Sequence, residues 1–148
     1  VTRGRPARDA GFTLVEIILV LVVLAVAGTL ALPAIQTAID SVRAEAGVRR
    51  VASFLDDTRR RAVLERAEKV VRCRQREGDL EVGPPGGAAK PFAIPEPLSL
   101  VSCSPETLRY FPQGAASGIA LTLRDGTGRE RRVSVGAFTG LARIEDRP

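Results

Sequence analysis

Histidine is absent from all 148 residues. Its absence removes the imidazole base, the proton shuttle and the commonest metal ligand, and with them the Ser/His/Asp and Cys/His arrangements of nucleophilic catalysis. Tryptophan is missing as well, and one tyrosine with five phenylalanines offers little surface on which nucleic-acid bases could stack. The two cysteines cannot complete a zinc site without two more ligands, and no histidine is there to supply them. No carboxylate pair, no nucleophile beside a base and no metal cluster stands out. The chain is therefore not expected to be an enzyme or to carry a cofactor or a metal.

What is present is a mildly basic chain with one long greasy run. The formal charge is +5, an excess that solubility alone accounts for. From Phe12 to Leu32 nearly every residue is Leu, Val, Ile or Ala, and as a helix rising ~1.5 Å per residue the run covers roughly 30 Å, the thickness of a bilayer's hydrocarbon core. Arg3, Arg5 and Arg8 precede it, and the first basic residue after it is Arg43. The positive-inside rule then holds the N-terminus in the cytoplasm and sends the rest outward, in a bacterium to the periplasm. With this run set aside, the length leaves room for one small globular domain.

Glu16 is the discordant residue, since an unpaired carboxylate costs up to roughly 3 kcal/mol at mid-membrane. If the chain is cut between Gly11 and Phe12, the freed ammonium of Phe12 lies one helical turn from Glu16, and a neighbouring subunit's ammonium can reach it too. The ion pair would then set register during assembly. A plainer reading is a Glu near the membrane surface, favoured by the helix dipole. For the whole segment, the competitors are a secretory signal peptide cut after Ala25-Val26-Ala27 and a simple single-pass anchor. The first is opposed by the apolar run continuing to Leu32 and by a Glu inside it; the second leaves Gly11-Phe12 and Glu16 without a role.

Gly11-Phe12-Thr13-Leu14-Val15-Glu16, after a short basic leader and before an unbroken apolar run, resembles the type IV prepilin signal. The resemblance implies cleavage after Gly11 by a membrane-embedded prepilin peptidase, N-methylation of Phe12, and an assembly salt bridge from Glu16. Loss of Arg3, Arg5, Arg8 and Asp9 with the leader would lower the formal balance by two, to +3. Pro33 resembles the proline found near the end of the buried helix segment in this family and, with Gly28 and Thr29, marks a place for a helix kink.

Beyond Pro33, the residues Ile35, Ile39, Val42, Val48, Val51, Leu55 and Ala62 recur at helical spacing, which predicts an amphipathic helix ending near Arg66 to Lys69, its apolar stripe against a sheet. Gly47 weakens its middle by about 1 kcal/mol relative to Ala. Arg59-Arg60-Arg61 is read as a solvated run at the helix end rather than a phosphate site.

From Lys69 the period changes. Residues 70–74 and 80–82 read as strands around Glu77-Gly78-Asp79, residues 83–97 as a Pro/Gly-rich connector, and 98–102 and 108–111 as further strands. The clearest β signal is the alternation over 119–124, the turn Asp125-Gly126-Thr127-Gly128, and Val133-Ser134-Val135. A short last strand covers 141–144. Cys73 and Cys103 would both lie in an oxidising compartment, where two thiols on neighbouring strands commonly bond; two unpaired buried thiols are the alternative.

Phe111-Pro112-Gln113-Gly114 with Ser117-Gly118, a hairpin and Phe138-Thr139-Gly140 are similar to the C-terminal domain shared by H-type pseudopilins of type II secretion systems and FimT-type minor pilins. The two resemblances together imply an α+β type IV pilin fold: a prepilin leader over 1–11, a transmembrane and assembly helix over 12–32, an amphipathic stem helix over 33–68 and a periplasmic β domain over 69–148. They imply a minor pseudopilin, anchored in the inner membrane by a single pass and then built into a periplasmic pseudopilus that supports protein export. Its expected partners are other pseudopilins, the prepilin peptidase and the inner-membrane assembly platform. The alternative is a FimT-like minor pilin that captures DNA through Arg129, Arg131 and Arg132, because each phosphate contact releases counterions; nucleic acid is otherwise not expected as a partner.

Overall fold

The computed structural model describes residues 13–146. Gly11 and Phe12, on which the cleavage and methylation expectations rest, lie outside the described residues. Among the described residues a single helix, α1, runs from Leu14 to Leu64, and eight strands follow. The chain divides into two compact units, 1–37 and 38–148, with the boundary inside α1.

In the first unit, Thr13 starts the helix. Its carbonyl accepts the Ile17 amide at 3.2 Å, the first bond of the helix, and its side-chain oxygen accepts the Glu16 amide at the same distance, so one of the amides that every helix start leaves unpaired is satisfied. The apolar residues 14–29 are exposed. Among the described residues no helix is long and apolar enough to cross a membrane; the expected span also draws on Phe12 and on Leu30 to Leu32, whose side chains fall outside the description. The helix continues through Pro33.

The second unit begins with the rest of α1. Ala44, Val48, Val51, Leu55, Thr58 and Ala62 are buried, a stripe at spacings of three, four and seven that packs into the core. Ile39 and Val42 stay exposed, because at 3.6 residues per turn they fall on the far side of the helix from Ala44 and Val48, so the packed stripe starts at Ala44. Gly47 has a positive reason to be there, because a Cβ would come within 2.7 Å of the Leu98 side chain that covers the helix at that point. The helix ends in two crossed bonds, from the Ala67 amide to the Ala62 carbonyl at 3.1 Å and from the Arg66 amide to that of Val63 at 3.3 Å, with Arg66 at φ +49°. This is the Schellman arrangement, here with Arg at the left-handed position that Gly usually fills.

The strands are β1 (Lys69–Arg74), β2 (Asp79–Gly83), β3 (Lys90–Ala93), β4 (Ser99–Ser104), β5 (Thr107–Tyr110), β6 (Ile119–Arg124), β7 (Glu130–Val135) and β8 (Ala142–Asp146). They form two four-stranded antiparallel sheets of order β3-β2-β1-β5 and β4-β6-β7-β8. One hydrophobic cluster joins the helix stripe to Val71, Leu80, Leu108 and Tyr110 of the first sheet and to Leu121, Leu123, Val133 and Val135 of the second. Strand β3 lies inside the stretch read as a connector. Pro91 is tolerated there because β3 is an edge strand, which needs no amide at every position, and Phe92 stacks on Phe54 of the helix with ring centroids 3.9 Å apart.

Cys73 of β1 is bonded to Cys103 of β4, with Cα atoms 6.5 Å apart. The two strands are not neighbours; they belong to different sheets, so the bond ties sheet to sheet.

Candidate functional site

Two regions carry the residues singled out by sequence. The first is the start of α1. Thr13 and Glu16 stand at the N-cap and third helical positions, the Thr-x-x-Glu spacing of a capping box, of which the Thr13 half is formed. Thr13 had not been singled out; its signal is that spacing. No ion pair to Glu16 is present among the described residues, and the Phe12 amine that would neutralise it lies outside them.

The second region is a junction of three segments in the second unit. On α1, Asp56 and Arg59 are one turn apart and half-buried. Arg59 Nε donates to the Gly114 carbonyl at 2.8 Å, and Asp56 Oδ1 accepts the Ala142 amide at 3.1 Å. Gly114 ends the motif Phe111-Pro112-Gln113-Gly114, and Ala142 lies two residues past Phe138-Thr139-Gly140. Beside the two motifs, the Ala116 amide donates to the Ala137 carbonyl at 2.9 Å. Gly114 is at φ +88° and Gly140 at φ +63°, and a Cβ at Gly140 would lie 2.3 Å from the Gly114 carbonyl oxygen and press on the Arg59 side chain at 3.0 Å. Of the Arg59-Arg60-Arg61 run, then, Arg59 is a structural clasp, while Arg60 pairs with Asp57 at 3.8 Å and Arg61 is exposed. Neither Asp56 nor Arg59 could be found from the sequence, because both contacts are long-range.

Tyr110 is fully buried beside this junction, and its hydroxyl has no hydrogen-bond partner among the described residues. Burial pushes its ionisation up, nearby Asp56 pushes it further, and Arg59 opposes both, so the phenol stays protonated. Phe138 is almost wholly exposed at the tip of the β7–β8 connection.

The basic residues of the DNA alternative are not gathered on one surface. Side chains alternate across a strand, and Arg131 shares the inward face of β7 with Val133 and Val135 whereas Arg132 points outward. Arg132 stands opposite Glu145 on β8, and Arg124 and Glu130 on the same outer face are paired at 2.6 Å. Arg129 lies in the hairpin turn, where its amide donates to Asp125 Oδ1 at 3.0 Å. Among the described residues, no group of three or more His, Cys, Asp or Glu is placed to hold a metal ion.

Residues 6–32 match the prokaryotic N-terminal methylation motif. The fold, a long N-terminal helix followed by antiparallel sheets, is like that of type IV pilins. The minor pseudopilin EpsH from the type 2 secretion system of Vibrio cholerae superposes with a TM-score of 0.57 at 15% identity, covering 70% of this chain and 97% of that one. The type IV minor pilin FimU of Pseudomonas aeruginosa PAO1 gives 0.54 at 16% identity in each of two crystal forms, with 68% and 70% of this chain and 91% and 87% of those chains covered. No curated protein matches the sequence. The solved structures it resembles are filament-type subunits and not enzymes, and both a pseudopilin and a pilin are among them.

Proposed function

We propose that the chain is a minor pseudopilin: it is cut after Gly11, N-methylated at Phe12, held in the inner membrane with its C-terminal domain in the periplasm, and packed into a short type II secretion pseudopilus. The observation that carries the reading is the coincidence of Gly11-Phe12 and Glu16 with the methylation motif over 6–32, ahead of a pilin-like fold. The charge of Glu16 next to a new amine gives the apolar helices a register, and Pro33 supplies the place where the helix bends in the filament. Prepilin peptidase, other pseudopilins and the assembly platform are its partners, and protein export is the process it serves.

Mass spectrometry of the protein isolated from its own membranes tests the processing step. A first residue of N-methylated Phe12 is expected, and an N-terminus after Ala27 would point instead to a signal peptide. Deletion of the gene is expected to block release of secreted proteins, and intact secretion would overturn the export role. DNA capture is the weaker reading, since Arg131 and Arg132 face opposite ways and Arg132 lies against Glu145. It requires binding that weakens steeply with added salt.

A further inference from the structure

We propose that the outer edge of β8 pairs with the same strand of a second copy of this chain. Strand β8 ends its sheet. The Gly136 amide donates to the Leu141 carbonyl at 3.2 Å, which aims Leu141 at β7, while the Ala142 amide turns away from β7 to Asp56. In an antiparallel ladder these directions alternate. Arg143 and Glu145 therefore direct their backbone groups at β7, and the N–H and C=O of Ile144 point out from the sheet into the open edge. An unpaired edge of this kind is a template for another strand.

The side chains say which strand fits. Ile144 stands opposite Val133 and so lies on the inward face, yet it is 42% exposed because nothing covers it from beyond the edge. It borders an open groove lined with Glu45, Val48, Arg49 and Arg131. Arg143 and Glu145 lie on the outward face, where Ser134 Oγ donates to Glu145 at 2.7 Å. Read antiparallel against itself about Ile144, the strand Ala-Arg-Ile-Glu-Asp is its own charge complement: each Arg143 falls opposite Glu145 of the other copy, and the two Ile144 residues exchange both backbone bonds. A shift of two residues either way sets Arg143 against Arg143 or Glu145 against Glu145, and directly opposed like charges destabilise the pair. A shift of one residue turns Ile144 to the outside. The register about Ile144 is thus favoured by attraction and protected by repulsion. It also carries Ile144 of the second copy over the apolar side of the groove. Because the contact is isologous, it closes at two copies, and Asp56 at the Ala142 amide limits its length.

This contact uses residues of the second unit alone and does not depend on the filament reading. Its test is made on the full chain in detergent, with a short thiol-to-thiol cross-linker. Cys73 and Cys103 are bonded to each other, so an introduced thiol is the one that reacts. The variant Ile144→Cys is expected to give a covalent dimer, and Val101→Cys, on the opposite edge strand, is not. Adding Arg143→Glu to Ile144→Cys should lower the yield at least tenfold, and the charge swap Arg143→Glu with Glu145→Arg should restore it. Absence of the dimer, equal yields from both edges, or a swap that fails to recover the yield would each overturn the proposal.

Discussion

Arg59 and Gly114 meet across 55 residues of chain, the guanidinium Nε of one donating to the carbonyl of the other at 2.8 Å. The contact holds Gly114 at φ +88° with its carbonyl lodged against Gly140. Substituting Gly140 with Ala therefore adds an overlap to the ordinary left-handed strain, and a loss of about 3 kcal/mol or more is expected. Gly128, at φ +87° in an open turn with nothing within 4 Å of a Cβ, should lose only about 1–2 kcal/mol as Ala. Urea denaturation of the two variants side by side measures the difference.

Tyr110 presents the opposite situation, a buried group that gains nothing from its polar atom. A hydroxyl without a partner costs on the order of 1–3 kcal/mol when desolvated. Tyr110→Phe keeps the ring and removes that cost, so a variant at least as stable as the parent is expected. A clear fall in melting temperature would mean that the hydroxyl is satisfied in solution.

Asp125 organises the β6–β7 turn and gives the fold one of its pH dependences. Its side chain is nearly buried, and Oδ1 accepts the Thr127 hydroxyl at 2.6 Å, the Thr127 amide at 2.9 Å and the Arg129 amide at 3.0 Å. Burial pushes the carboxyl up, but these bonds together with nearby Arg131 outweigh it and hold the group below the usual carboxylate range. The folded value thus lies under the unfolded one of about 3.9, so the stabilisation is complete above the unfolded value and is lost as pH falls through the folded one. Asp125→Asn retains the acceptor without the charge. Its stability should fall less steeply than the parent's when both are titrated below pH ~4.

The bond between Cys73 and Cys103 closes a loop with a sequence separation of 30, which in the chain-entropy model contributes roughly 3 to 4 kcal/mol. Replacing both with Ser is expected to lower stability by about that amount, and non-reducing mass spectrometry of the parent should find no free thiol.

How far the sequence could be read follows from where each signal lives. Strand β6 was legible to the residue because alternation and an Asp-Gly turn are local, and so were Val48, Val51, Leu55 and Ala62 of the packed stripe, whereas Thr58, buried with them, gives no apolar signal. Strand β3 was not: Lys90-Pro91-Phe92-Ala93 sits between prolines and glycines, and what makes it a strand is pairing with β2 and the stack of Phe92 on Phe54. Ile39 and Val42 are apolar but do not share the face of Val48: the six residues from Val42 to Val48 break the helical spacing, so the two lie on the side away from the sheets. Sheet membership was hidden as well, because Cys73 and Cys103 give no sign that their strands belong to different layers. The clasp at Asp56 and Arg59 escaped for the same reason: neither residue is unusual until the chain returns to it.

Because α1 contributes to the packing of both sheets and a covalent bond ties those sheets to each other, the domain is a closed mechanical ring. Tension entering along the helix is divided between two layers that cannot peel away singly. Resistance to pulling, which is governed by the rate of unfolding, therefore belongs to the ring as a whole, and opening it at sulfur would let the layers yield in turn.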